Sequence, residues 1–444
     1  MTQTTNILLK PTQIPWIGNI PEDWKIQSLK SVILRSKNWA WWGDMKWDSN
    51  DIVCIRVADF DSENFWIDDS RLTYRNIPDC EDILLNEGDL LLEKSWGWDL
   101  QLVGRVINYK KSFRAVTSNF LATIKTKKSS IENKFLYYLL RYYYSANVNY
   151  RSIKQTTGIQ NLDSDSYFQE PIPLPPLPTQ TTIANFLDQK TERISTLISN
   201  KKKLIDFLKE QKQYIIHRAV TKGIDPDVNM KNSGMPWIWE IPEDWEVKRL
   251  KYCVFGKLEY GANEPAESNN PDNPRYIRIT DFWNDWFLRN DTFCSLAMEQ
   301  AKNYLLQEWD ILFARSGATV WKTFMFTDYN WVACFAWYLI RARVNTKIIN
   351  EKFLYLYTKS NAYEEWKSFI FNESTIQNIW ADKYNNLPVP IPSLLIQSTI
   401  IKYIEQEAAQ IDTAIEKIEK EITLIEEYRT SLLYQALTGK ISIS

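Results

Sequence analysis

The sequence predicts an α+β fold: two α/β domains with β-rich cores, each followed by a long helix, the helices pairing as an antiparallel coiled coil. Three observations predict it. The chain is a tandem duplication, each copy runs from short β-rich stretches through a proline strap into a helical pattern, and the two helical patterns carry opposite charge.

The duplication is read from ordered matches. Ile14–Trp24 (IPWIGNIPEDW) returns as Met235–Trp245 (MPWIWEIPEDW), 221 positions on. Glu87–Leu92 returns as Glu308–Phe313 at the same offset, and Ile55–Phe60 (IRVADF) matches Ile277–Phe282 (IRITDF). Beyond Ser95 and Ser316 a four-residue loop difference changes the offset to 217, so Ile159–Asn161 matches Ile376–Asn378 and Pro171–Pro175 matches Pro388–Pro392.

Within each copy, runs such as Asp51–Phe60 and Asp89–Leu92 read as short strands. The straps Pro171–Pro178 and Pro388–Pro392 cannot be helix interior, because proline lacks the N–H and clashes with the preceding turn. The expected divisions are 1–175, 176–223, 224–392 and 393–444.

The helical segments show apolar residues at alternating steps of four and three. In the first these are Ile183, Leu187, Ile194, Leu197, Leu204, Leu208 and Ile215. In the second they are Ile400, Ile404, Ile411, Ala414, Ile418, Ile425, Tyr428 and Leu432. Thr179–Thr221 holds eight Lys/Arg against four Asp/Glu, whereas Ile396–Thr438 holds four against eight. Opposite nets favour these helices with each other over like-with-like pairing.

Composition narrows the chemistry. At 444 residues two or more domains are expected. No apolar run suits a membrane span, and Met1–Lys10 lacks the pattern of a signal peptide, so a cytoplasmic location is expected. Cys54, Cys80, Cys253, Cys294 and Cys334 are odd in number and form no C-x-x-C pair, so neither a disulfide framework nor a zinc site is indicated. The single histidine, His217, lies in a helical stretch and reads as an ordinary helix residue. Ser316–Thr323 superficially suggests a phosphate loop, but Trp321 occupies the second glycine site, and the segment reads as strand and turn. No catalytic constellation and no metal site is found.

Basic and polar residues with interleaved aromatics gather in both copies. The candidates for nucleic-acid contact are Lys94, Ser95, Arg105, Lys110, Lys111, Gln160 and Asn161 in the first, and Arg315, Ser316, Lys322, Gln377 and Asn378 in the second. Arg114, Arg341 and Arg343 belong to the same gathering. Lys and Arg suit phosphates and guanine edges; Asn and Gln can pair bidentately with adenine. For any one residue, a turn capped by a side-chain amide is an equally good reading.

The repeated residues carry a family resemblance. The Ile-Pro-Glu-Asp-Trp-x-x-x-x-Leu-Lys opening (Ile20–Lys30, Ile241–Lys251), the Glu-Gly-Asp-Leu-Leu run, the Pro-x-Pro strap and the Gln-x-x-Ile helix start (Gln180–Leu187, Gln397–Ile404) are similar to specificity subunits of type I restriction-modification enzymes. The resemblance spans nearly the whole chain. It implies two target recognition domains (1–175 and 224–392), each reading one half of a split, asymmetric double-stranded DNA site. It also implies a central spacer helix (176–223) and a C-terminal spacer helix (393–444), which fix the half-site separation and dock modification (methyltransferase) subunits, two by expectation. No cofactor is expected in this chain; S-adenosylmethionine, ATP and Mg are expected on partner modification and restriction subunits. The competing reading is a non-DNA coiled-coil scaffold presenting two protein-binding modules.

One feature is unusual: the chain has 20 tryptophans and only 12 glycines. Trp239 aligns with Gly18, Trp309 with Gly88, Trp321 with Gly104, Trp96 with Gly317 and Trp39 with Gly261. These are turn positions, where tryptophan fits poorly. Glycine encoded by a reassigned opal codon is one explanation; exposed rings stacking on bases is the other. Trp16 with Trp237, and Trp24 with Trp245, are tryptophan in both copies and read as core.

Overall fold

A computed structural model describes residues 8–37, 43–61, 65–78, 80–95, 101–156, 159–265, 268–282, 288–316, 320–372 and 380–443. Two compact units emerge, one of 1–202 with 419–444, the other of 203–418, so each helix contributes to both.

The same sheet is built twice. In the first unit the strand order is 106–108, 90–93, 121–126, 33–37, all antiparallel. In the second it is 323–325, 311–314, 339–342, 259–260, with the same pairing. The central strands, Leu90–Glu93 and Ile311–Ala314, are wholly buried, which explains their continuous apolar run. A smaller parallel pair follows in both: Asp51–Ile55 with Ala115–Thr117, and Arg275–Ile277 with Ala333–Phe335.

The proline straps form edge strands, where a missing N–H is tolerated. Pro171–Leu174 pairs with Lys25–Ser28, and Pro388–Ile391 with Glu246–Arg249. The strap therefore closes back on the segment that follows the Ile-Pro-Glu-Asp-Trp opening. Pro178 lies in the first turn of the helix that follows, where its missing donor costs nothing.

That opening is a socket for a helix end. In the first unit Trp24 is buried, and an added Cβ on Gly439 would lie 2.5 Å from Pro21 and 3.1 Å from the Trp24 ring. In the second, Trp245 is buried and an added Cβ on Gly223 would lie 3.4 Å from its ring. Both glycines hold positive φ, +70° and +77°, and stop their helices.

The helices, Leu177–Lys222 and Leu394–Leu437, are 46 and 44 residues long. Within the first unit the start of the central helix faces the end of the C-terminal one: Ile183, Leu187, Ile194 and Ile198 share a core with Leu432, Leu433 and Ala436. Within the second, Ile216, Ala219 and Val220 share a core with Ile400, Ile401 and Ile404. The pairing is antiparallel, with Lys201 salt-bridged to Glu421 in one unit and Lys212 to Asp412 at 2.7 Å in the other.

The seam differs from the heptad expectation on the central helix. Leu197 and Leu204 are 45% and 46% exposed, Leu208 and Ile215 are half-buried, and Ile198 and Ile205 are buried instead. The buried positions Ile183, Ile194, Ile205 and Ile216 recur every eleven residues. An eleven-residue repeat drifts about 20° over eleven residues of a straight helix, whereas a strict heptad drifts about 20° the other way over only seven. On the C-terminal helix Ile400, Ile404, Ile411, Ile418 and Leu432 are buried and Ile425 is half-buried.

His217 sits on the central helix, half-buried, and its Nδ1 accepts a hydrogen bond from the Ala362 N–H at 3.3 Å. Burial holds its pKa below the usual histidine value, with Lys222 adding to that and Glu365 opposing it. The unfolded chain therefore binds the proton first, and stability present above pH ~6.5 is lost as the pH falls from there. In thermal melts between pH 7 and ~5.5, His217→Asn is expected to lose less stability than the parent. Equal slopes would remove His217 from the acid response.

Candidate nucleic-acid interface

The central strands end at corresponding residues. In the first unit the strand Leu90–Glu93 runs into Lys94 and Ser95, and the Lys94 N–H donates to the Phe120 carbonyl at 2.8 Å. In the second, Ile311–Ala314 runs into Arg315 and Ser316, and the Arg315 N–H donates to the Tyr338 carbonyl at 3.0 Å. The backbone thus presents two different side-chain pairs from one frame.

In the first unit a hairpin, Ile153–Thr156 with Ile159–Leu162, stands beside this strand end. The Leu162 N–H donates to the Lys94 carbonyl at 2.7 Å, and Ser95 Oγ donates to Asn161 Oδ1 at 2.6 Å. Gln160 is buried beneath, its Oε1 accepting from the Val103 N–H at 3.3 Å, so its role is to hold the hairpin. Asn161 is exposed, and partial burial pushes the Lys94 ammonium's pKa down. Lys94, Ser95 and Asn161 are thus brought together; Lys154 lies directly across the hairpin from Asn161 and is ion-paired to Asp163 at 2.6 Å. Lys154 was not singled out from sequence, because only the hairpin register places it there.

Arg315 is the unusual group of the second unit. Its side chain is 4% exposed and lies among the rings of Tyr260, Trp337 and Trp380, with centroids 5.0, 5.0 and 4.5 Å from the guanidinium carbon. Its Nε is buried without a hydrogen-bond partner, and it has no ion pair among the described residues. Burial of this guanidinium is costly, and the three ring faces offset part of that cost where no counter-charge stands among the described residues. The three rings come from distant parts of the chain, so no local sequence signal announced them. Lys322 is exposed, and its carbonyl accepts from the Ala314 N–H at 2.9 Å, beside Arg315.

Other candidates are placed elsewhere. Arg105 is buried and forms a two-pronged ion pair with Glu93, Nε to Oε2 at 2.8 Å and Nη2 to Oε1 at 3.0 Å. It is core structure, and cannot reach a ligand without stranding Glu93. Arg105→Ala is expected to cost about 3–5 kcal/mol by leaving that carboxylate unpaired, and Arg105→Met with Glu93→Leu to recover most of it. A denaturation series in which the double variant is no better than the single would refute this. Lys110 and Lys111 follow Asn108, which pairs with Leu90 at the opposite end of the sheet, a strand length (~13 Å) from Lys94. Lys111 is also tied to Asp69 at 2.7 Å. Arg114 is held by Glu81, Arg341 by Glu259 and the Leu305 carbonyl, and Arg343 by Asp310 at 2.7 Å. Gln377 and Asn378 lie outside the described residues.

Among the described residues no group of His, Cys, Asp or Glu is arranged to hold a metal ion. The five cysteines are buried thiols, and burial pushes those of Cys54 and Cys253 up to about 11. Among the described residues no helix is long and apolar enough to cross a membrane.

The repeated frame, the paired helices and the matching sheet ends define a duplicated two-domain reader. The chain belongs to the family of the type I restriction modification DNA specificity domain, whose model matches 21–206 and again 242–424. It is 26% identical over 375 residues to the specificity subunit of the type I restriction enzyme MjaVIII of Methanocaldococcus jannaschii, covering 82% of this chain and 81% of that one. To the EcoBI specificity subunit of Escherichia coli it is 25% identical over 338 residues, covering 74% and 70%. Among solved structures, a chain of a type I restriction-modification system matches 95% of this chain and 99% of its own length, with TM-score 0.71 at 17% identity. The HsdS subunit of Thermoanaerobacter tengcongensis matches with TM-score 0.51 at 16% identity, over 95% and 98%. These two likenesses bear on the fold.

Proposed function

We propose that this chain is the non-catalytic, sequence-reading subunit of a type I restriction-modification complex, each recognition domain (1–175 and 224–392) reading one half of a split, asymmetric DNA site. The observation that carries the reading is the pair of equivalent sheet ends, Lys94-Ser95 and Arg315-Ser316, one frame holding different chemistry. A palindromic site would call for identical readers; unequal readers on helices of fixed length suit unequal half-sites at fixed spacing. The paired helices 176–223 and 393–444 dock the modification subunits, two per chain, which carry S-adenosylmethionine. Restriction subunits carry ATP and Mg, and the complex works in the cytoplasm. The alternative of a protein-only scaffold leaves the match to a DNA specificity domain in both halves without a reason.

The test is selection from a random duplex library by the chain assembled with modification subunit and methyl donor. A bipartite motif with a constant gap is expected; recovery of no motif, or of one uninterrupted half, overturns the reading.

A further inference from the structure

Tryptophan is poorly suited to the left-handed backbone region, because its Cβ crowds the following carbonyl and its side chain offers no local hydrogen bond in return. Yet of seven described non-glycine residues with positive φ, three are Trp47, Trp309 and Trp321, at +64°, +73° and +77°.

Two of them occupy turns that the first unit builds with glycine. Gly88 has φ +91° and donates its N–H to the Tyr109 carbonyl at 2.8 Å; Trp309 does the same to Phe326 at 2.6 Å. Gly104 has φ +110° and precedes Arg105, whose carbonyl accepts from Glu93 N–H at 2.9 Å. Trp321 likewise precedes Lys322, whose carbonyl accepts from Ala314 N–H at 2.9 Å. The hydrogen bonding is the same, and the residue differs.

In the sequence Trp39 aligns with Gly261, two residues beyond Glu259, which pairs with Arg341. A Cβ at 261 would sit 2.1 Å from the Phe335 carbonyl oxygen, a backbone atom that cannot swing aside. Trp39 and Trp96 themselves lie outside the described residues. Trp239 is different: it lies in the strand Ile238–Pro242 with an ordinary φ and an exposed ring, and Gly234 carries the turn.

Base stacking does not account for Trp321. Its ring is buried against Trp366 and Tyr384, at 5.5 and 5.6 Å, and is closed to a nucleobase. In the first unit it is the side chain of Asn149 that lies directly over Gly104.

We propose that positions 309 and 321 are glycine in the polypeptide made in its own cells, where UGA is decoded by a glycine-charged tRNA. The codon is the cause, so tryptophans that both copies share and pack into their cores, Trp24 and Trp245, are UGG and remain tryptophan.

The test is mass spectrometry of peptides spanning 24, 245, 309 and 321 from the protein purified from its native host, beside the coding triplets. The peptides over 309 and 321 are expected to be lighter than the tryptophan forms by an indolylmethyl group exchanged for hydrogen, with UGA at both triplets. Those over 24 and 245 are expected to retain tryptophan. Tryptophan at 309 and 321, or UGG there, overturns the proposal, as does glycine at 24 and 245. In the recombinant chain Trp309→Gly is expected to raise the melting midpoint by about 2–4 °C through relief of the left-handed strain. A fall of that size would count against glycine at 309.

Discussion

Gln397→Ala is expected to destabilise the chain by about 3–5 kcal/mol, and Gln180→Ala by a similar amount. Each glutamine starts a spacer helix, and each is fully buried. Gln397 Oε1 accepts from the Asn350 N–H at 2.7 Å, while its Nε2 donates to the Ile348 and Pro392 carbonyls at 3.1 and 2.8 Å. Gln180 repeats the pattern with the Glu132 N–H and the Ser130 and Pro175 carbonyls. One side chain thus ties together the strap, the helix start and the turn before the domain's own helix. Alanine strands three buried backbone groups at about 1–3 kcal/mol each, part of which water recovers. Gln397→Met keeps most of the volume and is expected to lose nearly as much, which separates hydrogen bonding from packing. Chemical denaturation reads the result; a loss under ~1 kcal/mol for Gln397→Ala would sink this account.

That glutamine was legible in the sequence as a repeated helix-start residue, although its purpose was not. The pattern Gln-x-x-Ile states where the helix begins; only the fold shows that the amide points back into the domain. The duplication itself was fully legible, because turn residues, straps and buried strands repeat with their chemistry. The central helix was less so. Leucines at 197 and 204 continue a heptad on paper, yet a straight helix rotates them off the face and brings Ile198 and Ile205 on. Arg105 was misassigned for a related reason. Its partner Glu93 ends an otherwise apolar strand, Leu90–Glu93, and an acid in that setting signals a buried pair. Arg341 and Arg343 are likewise each held by a carboxylate.

Arg315 and Lys94 stand at the corresponding ends of the two central strands. Arg315→Ala is expected to weaken binding of the cognate duplex by about 10–100-fold at fixed salt, the range of one good bidentate base contact. The loss should be confined to one half-site: base substitutions there should matter less to the variant, while substitutions in the other half keep their full effect. Lys94→Ala should show the mirror pattern. Arg315→Lys restores charge without the planar fork, so it should recover salt-dependent affinity but little base discrimination. If Arg315 instead holds a phosphate, binding weakens evenly across sequences and the salt slope falls by about one. The aromatic surround favours the first outcome, since rings on several sides fix the guanidinium plane, and a fixed plane suits a base edge better than a phosphate that accepts many orientations. Unchanged affinity in Arg315→Ala, measured on the assembled complex, would mean that Arg315 does not contact the DNA.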